Sequence, residues 1–283
     1  MMQVVVENKY GQKLNLTHNN NYALVSVTGL TPPAATVNYT SIATKDGAVL
    51  NSARAEIRNI VLTIIPQNSI ETNRIELYKY FKIKQYIKVY LENNTRNVWI
   101  DGVIETIDGD LYQQTETIQV SIICVDPYFR DAETNEYVFS NIISRFKFPF
   151  AIEEIPGVPI SEISEITEIA INNKSDTEVG AIITLYAFGA CSDPTIYNMT
   201  TNENFSLDVD LVTGDVVIID TRNGHKSVTL NHAGTITNIL NSMKENSEWL
   251  QLLEGDNIFS YECVSGANNL NITVSVEPLY EGM

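Results

Sequence analysis

Only three of the 283 residues are cysteines: Cys124, Cys191 and Cys263. An odd, widely spaced set excludes the disulfide framework of a small secreted domain, and without a Cys-x-x-Cys pair there is no structural zinc motif. Cys124 and Cys263 lie inside apolar alternating runs, SIICV and YECV, where a thiol serves as a small core hydrophobe. Histidine is equally scarce. His18, His225 and His232 form no zinc-protease helix, and there is no Gly-x-Ser-x-Gly elbow, phosphate loop or Gly-x-Gly-x-x-Gly turn. No catalytic residue, metal or cofactor is therefore expected. Positive charge is in short supply, with 18 Lys and Arg against 35 Asp and Glu and a net charge of -17. Such a chain will not condense on phosphate backbones or anionic lipid, so no specific nucleic acid and no membrane is expected as a partner. Met1–Gln12 has no basic segment leading into a long apolar one, and the near-apolar run Gly180–Ala190 is too short to cross a bilayer. A chain made and folded in a reducing cytoplasm is the expectation. No repeat of 20–50 residues is visible, which excludes solenoids and propellers.

What is present is a globular composition, 44% hydrophobic, in a chain long enough for two domains. The charge is unevenly placed. Residues 1–130 carry 12 basic and 12 acidic side chains, whereas residues 131–283 carry 6 and 23, so the second part holds the whole excess. Pro127, Pro149, Pro156 and Pro159 mark a junction in the same region. The expected domains are 1–130 and 131–283, the second more strongly solvated.

Periodicity is mostly of strand type. Ile87, Val89 and Leu91 alternate with Lys88 and Tyr90; Val98, Ile100 and Ile104 alternate with Trp99, Asp101 and Glu105; Ile118, Val120, Ile122 and Cys124 share one face. With turns at Asn93-Asn94 and Asp108-Gly109 this predicts a three-stranded antiparallel meander. Glu56–Ile65 reads as a further strand. One helix is expected after Ser69 as cap, with Ile70, Leu77, Tyr78 and Phe81 on its core face and the Arg74 stem along that face, its charge outside. In the second part, strands at 179–188, 205–211, 215–220 and 225–230, a hairpin at Asn223-Gly224, a short helix over 236–244, and closing strands at 258–264 and 270–276 predict a β-sandwich.

Asp208, Asp210, Asp215 and Asp220 cluster in sequence, but counting from Asp208 places Val212 and Thr213 where a calcium loop needs an oxygen and a glycine. Alternating acids on a strand then read as the wet face of a sandwich. Residue chemistry thus favours a binding or assembly role.

Two ordered sets of motifs go further. The first is R-x-I-x-L-x-I from Arg58, R-x-x-L-Y-K-Y-F at Arg74–Phe81, I-x-G-x-I-E at Ile100–Glu105 and Q-V-S-I-I-C-V-D-P-Y-F at Gln119–Phe129. The second is G-D-x-x-x-I-D-T at Gly214–Thr221, N-G-x-K-x-V at Asn223–Val228, W-L-x-L-L-E-G-D-N at Trp249–Asn257 and V-x-V-E-P-L-Y-E-G at Val274–Gly282. F-K-F-P-F at Phe146–Phe150 and I-N-N at Ile171–Asn173 fit the same order. Together they resemble the bacteriophage distal tail protein family.

The resemblance implies a mainly β chain: an N-terminal β-sandwich with one helix and an extended hairpin, and a C-terminal galectin-like β-sandwich. It implies a non-enzymatic homohexameric ring at the virion tail tip, assembled in the host cytoplasm. The ring would join the tail tube to the tail-tip hub. Implied partners are further copies of the chain, the tail tube protein, the tape measure protein, a tail-associated hub or lysin protein and a receptor-binding protein. Arg74, Tyr78, Phe81, Trp99, Asp108 and Asp110 are expected at the ring contact. Asp101 and Glu105, with Asp108 and Asp110 nearby, are candidates for an acidic lumen that repels DNA, or equally a solvated turn. The rival reading is a free-standing carbohydrate-binding lectin.

Overall fold

The computed structural model describes residues 2–17, 19–44, 46–110, 112, 115–139, 142–144, 161–163 and 168–283. Phe146–Phe150, Pro156 and Pro159 lie outside them. The chain divides into two compact units, Met1–Ala132 with Leu279–Met283, and Glu133–Pro278.

The first unit contains β1 (Gln3–Asn8), β2 (Lys13–Asn15), β3 (Tyr22–Thr28), β4 (Ala35–Ser41), β5 (Ala48–Ala55), β6 (Arg58–Pro66), α1 (Ile70–Tyr80), β7 (Tyr86–Glu92), β8 (Asn97–Asp110), β9 (Thr117–Cys124) and β10 (Phe129–Asp131). The main antiparallel sheet runs β2-β1-β7-β8-β9-β6-β3, with β10 beside β8 and Leu279–Tyr280 beside β10. Alternation decides which side chains enter the core: Ile60, Leu62 and Ile64 of β6, Ile87, Val89 and Leu91 of β7, Val98 and Ile100 of β8, Ile118, Val120 and Ile122 of β9. Each such side chain contributes about 1.5–3 kcal/mol by leaving water. Cys124 ends β9 inside this core, where burial pushes its thiol up to about 12.

The meander β7-β8-β9 is present in register. Its second turn lies further out than Asp108-Gly109, because β8 stays paired as far as Asp110 opposite Thr117. The β-branched Thr106, Ile107, Thr117 and Ile118 carry the ladder through a dipeptide that favours turns elsewhere. A bulge between Ile104 and Thr106 shifts the inward phase by one residue.

Helix α1 also departs from expectation. Ser69 is at its N-cap but its side chain makes no capping bond. The buried face is Asn73 and Leu77, continued by Phe81, while Ile70 and Tyr78 remain partly exposed. The cause is polar and thus invisible to apolar spacing. Asn73 Nδ2 donates to the Gln67 carbonyl at 2.7 Å, the Tyr22 hydroxyl donates to Glu76 at 2.9 Å, and the Tyr80 hydroxyl donates to the Val6 carbonyl at 2.7 Å.

The second unit contains β11 (Asn135–Phe139), β12 (Ile142–Ser144), β13 (Ser161–Ile163), β14 (Glu168–Asn173), β15 (Val179–Ala187), β16 (Cys191–Ser192), β17 (Thr195–Asn198), β18 (Glu203–Ser206), β19 (Asp210–Leu211), β20 (Val216–Asp220), β21 (Ser227–His232), β22 (Thr235–Asn238), β23 (Gln251–Leu252), β24 (Gly255–Glu262) and β25 (Leu270–Val276). One sheet runs β11-β25-β15-β20-β21-β22, the other β14-β24-β17-β18. Ile183, Leu185, Val217, Ile219, Ile272 and Val274 of the first sheet are buried, as are Ile171, Ile196, Phe205 and Phe259 of the second. That is a sandwich.

Asn223-Gly224 does lie in the loop joining β20 to β21. The expected helix over 236–244 is instead β22 followed by a single 3₁₀ turn at Leu240–Ser242. Ala233 and Gly234, with φ of 48° and 86°, form a two-residue turn whose positive φ values suit a tight hairpin, and Thr235, Ile236 and Thr237 then favour strand. Asp215 and Asp220 are not wet-face residues. Both are buried, Asp215 accepting from the Val212 N–H at 2.9 Å and Asp220 from Arg222. Cys263, expected in the core, is only half-buried.

Candidate assembly site

Among the described residues, the strands β4 and β5 pair with each other and with no other strand. Pro32 and Pro33 lead into them, and the Glu56 N–H donates to the Ala34 carbonyl at 2.8 Å to close the base. Register sets two faces. Ala35 opposes Ala55, Val37 opposes Ala53, Tyr39 opposes Leu50 and Ser41 opposes Ala48. These pairs share one side, and it is apolar nearly throughout. Thr36 opposes Arg54, Asn38 opposes Ser52 and Thr40 opposes Val49 on the other side. There Asn38 Nδ2 donates to Ser52 Oγ at 3.0 Å and Asn51 Nδ2 to Thr40 Oγ1 at 2.7 Å. Near the base, the Thr36 hydroxyl donates to the Glu56 carboxylate and holds it below its usual range, and Arg54 stands 3.4 Å from the same group.

The bulge between Asn38 and Tyr39 is what makes this possible. In β5 the apolar residues fall at 48 and 50, then at 53 and 55, a change of phase that would split them between two faces. The extra residue, Asn51, absorbs it. Tyr39 and Leu50 are 66% and 64% exposed, and Val37 and Val49 about half exposed. A lone two-stranded hairpin is marginal in water. Each of Val37, Tyr39 and Leu50 would gain roughly 1.5–3 kcal/mol on full burial.

The outward side of β8 carries the acidic candidates. Asp101 precedes the bulge, Glu105 is its extra residue, Asp108 and Asp110 follow it, and all four are exposed. They extend along ten residues, about 30 Å of strand. Ser121 Oγ donates to Glu105 at 3.0 Å and the Tyr112 N–H to Asp110 at 3.1 Å. Lys88, opposite Asp101, stands over the Trp99 ring at 3.9 Å.

The remaining expected contact residues are dispersed. Phe81 is fully buried in the core of its own unit. Arg74 does not send its charge to solvent; Nη1 pairs with Glu116 at 2.7 Å, both side chains mostly buried. Tyr78 is accessible on α1, and Trp99 is half-covered by Lys88 and Arg130. The structure does not bring these residues into one patch with the β4–β5 face. That face escapes a search for chemistry because it bears no reactive residue; its signal is the phase change in AVLNSARA. Among the described residues no three His, Cys, Asp or Glu are grouped to hold a metal ion, and no helix is long and apolar enough to cross a membrane.

Residues 174–280 match the family described as siphovirus-type tail component, C-terminal domain. The chain is similar in structure to the Dit protein (gp 19.1) of phage SPP1, a hub adsorption apparatus protein of phages infecting Gram-positive bacteria, with a TM-score of 0.68 at 10% identity over 98% of this chain and 99% of that one. It is also similar to a chain of the phage P2 baseplate in its activated conformation with Ca, with a TM-score of 0.55 at 10% identity over 98% of each chain. Comparison with curated proteins finds no match.

Proposed function

We propose, from the premise that this chain is a phage distal tail component, that six copies close into a ring joining the tail tube to the tail-tip hub and its receptor-binding apparatus. The role is structural and involves no catalysis. The observation that carries this reading is the apolar face of β4–β5, which no strand among the described residues covers. A second copy supplies the missing cover. The arm lies on a different surface of the neighbouring copy, which makes the contact heterologous, and a heterologous contact that closes gives a ring. The outward acids of β8 line the lumen, where like charge keeps passing DNA from adhering. The tube, tape measure, hub and receptor-binding proteins dock on the assembled ring.

The test is the solution mass of the purified chain across a concentration series, by native mass spectrometry and light scattering. A species of about six times the 31.6 kDa chain is the expected result. A strict monomer at every concentration, together with its absence from purified tails, overturns the reading.

A further inference from the structure

Cys191 and Cys263 are 72 positions apart in sequence, yet their sulfurs are 3.0 Å apart. That is inside ordinary contact and about 1 Å longer than a disulfide bond. The segments bearing them are already fastened side by side: the Ser192 N–H donates to the Ser265 carbonyl and the Val264 N–H to the Ser192 carbonyl, both at 3.0 Å. At Gly266, φ is +72° and a Cβ would come within 2.1 Å of the Ala190 carbonyl oxygen, so the two backbones approach as closely as glycine permits. Closing the bond needs the two sulfurs to approach by about 1 Å more. Cys191 is 1% exposed, whereas Cys263 is reached by solvent.

We propose that Cys191 and Cys263 form a redox-active pair that small-molecule disulfides close into an intramolecular disulfide. The oxidant is a compound of the oxidised-glutathione class. The accessible Cys263 thiol loses its proton and its sulfur bonds to one sulfur of the reagent; the reagent's S–S bond breaks and the first glutathione thiolate leaves. Cys191, ionised in turn, attacks the Cys263 sulfur and expels the second. Two protein thiols are oxidised, one glutathione disulfide is reduced, and two protons pass to the leaving thiolates. Cys124 takes no part, being sealed in the other unit. The chain would be made as a dithiol in a reducing compartment and cross-linked once outside it.

The test uses the full chain, purified under reductant and then titrated with glutathione disulfide. Free thiols are alkylated and counted by intact mass, and digestion locates the cross-link. The expected result is loss of two of the three thiols, a peptide joining Cys191 to Cys263, and a melting temperature raised by roughly 5–10 °C. Cys191→Ser and Cys263→Ser should each abolish both the cross-link and the shift while melting, when reduced, near the reduced parent. Three thiols still alkylated at an excess of glutathione disulfide, a cross-link between two chains, or stable mixed disulfides at Cys263 would each overturn the proposal. Should one serine variant fail to fold, the other and the parent's peptide map decide the matter.

Discussion

Tyr39 and Leu50 face each other across the β4–β5 arm, and both present about two-thirds of their surface to solvent. Replacing either with Asp removes only this cross-strand contact from the folded chain, so the unfolding free energy should move by less than about 1 kcal/mol. Assembly should suffer instead. Tyr39→Asp with Leu50→Asp is expected to raise the concentration needed for half-assembly by at least about a hundredfold, read by light scattering. An unchanged assembly curve removes the arm from the interface.

Arg58 should behave in the opposite way. It is 3% exposed and donates to the carbonyls of Pro127 (2.7 Å), Gly29 (2.5 Å), Thr31 (2.7 Å) and Glu281 (2.5 Å), with its guanidinium 4.3 Å from the centre of the Phe129 ring. Arg58→Ala strands four buried acceptors and should cost about 3–5 kcal/mol in denaturant unfolding. Arg58→Lys keeps the charge but loses the fork, so it should recover less than half of that. Full recovery by lysine means that charge, not geometry, holds these strands.

Acid should weaken the second unit through Asp220. Burial alone would raise its carboxyl, but the Arg222 guanidinium, bonding at 3.0 and 2.7 Å, the Arg222 N–H and the Arg222 charge together hold it below its ordinary 3.8. A folded value below the unfolded one means stability that is present above about pH 4 and lost as pH falls through the folded value. The denaturation midpoint should therefore drop on going from about pH 5 to pH 3. Asp220→Asn should flatten that part of the profile, and Arg222→Met should cost about 1–3 kcal/mol at neutral pH. Parallel profiles for parent and Asp220→Asn place the acid lability elsewhere.

The acids of β8 give a prediction about DNA. Neutralising Asp101, Glu105, Asp108 and Asp110 as their amides should leave the melting temperature of the single chain unchanged, because all four are exposed. Co-sedimentation of the assembled species with double-stranded DNA at low salt should rise, and the rise should vanish with added salt. No gain in retention would show that the stripe does not meet DNA.

How much of this was legible beforehand depended on whether a side chain's partner was apolar and near in sequence. The meander could be read because Ile87, Val89 and Leu91 and their partners alternate without interruption. The buried stripe of α1 could not, since its first member is Asn73, held by a carbonyl, and the apolar Ile70 and Tyr78 point away. Ala233-Gly234 looks like an ordinary pair until both residues adopt positive φ. The arm was missed as an assembly surface because its apolar residues change phase at Asn51, which breaks the alternation that marks a strand. Asp108 and Asp110 drew attention as turn residues, yet a bulge several positions earlier decides which way they face. The approach of Cys191 to Cys263 is a property of the sandwich, and nothing local announces it.

The strand Leu279–Tyr280 pairs with β10, and the Met283 N–H donates to the Leu30 carbonyl at 3.0 Å. The first unit is thus begun before the second and completed after it, with all of Glu133–Pro278 synthesised in between. Until then the Arg58 guanidinium lacks its Glu281 acceptor and Arg96 lacks its Gly282 acceptor. The second unit can fold while the first waits. Closure of the first unit therefore waits until Leu279–Met283 has been synthesised, long after β1 to β10.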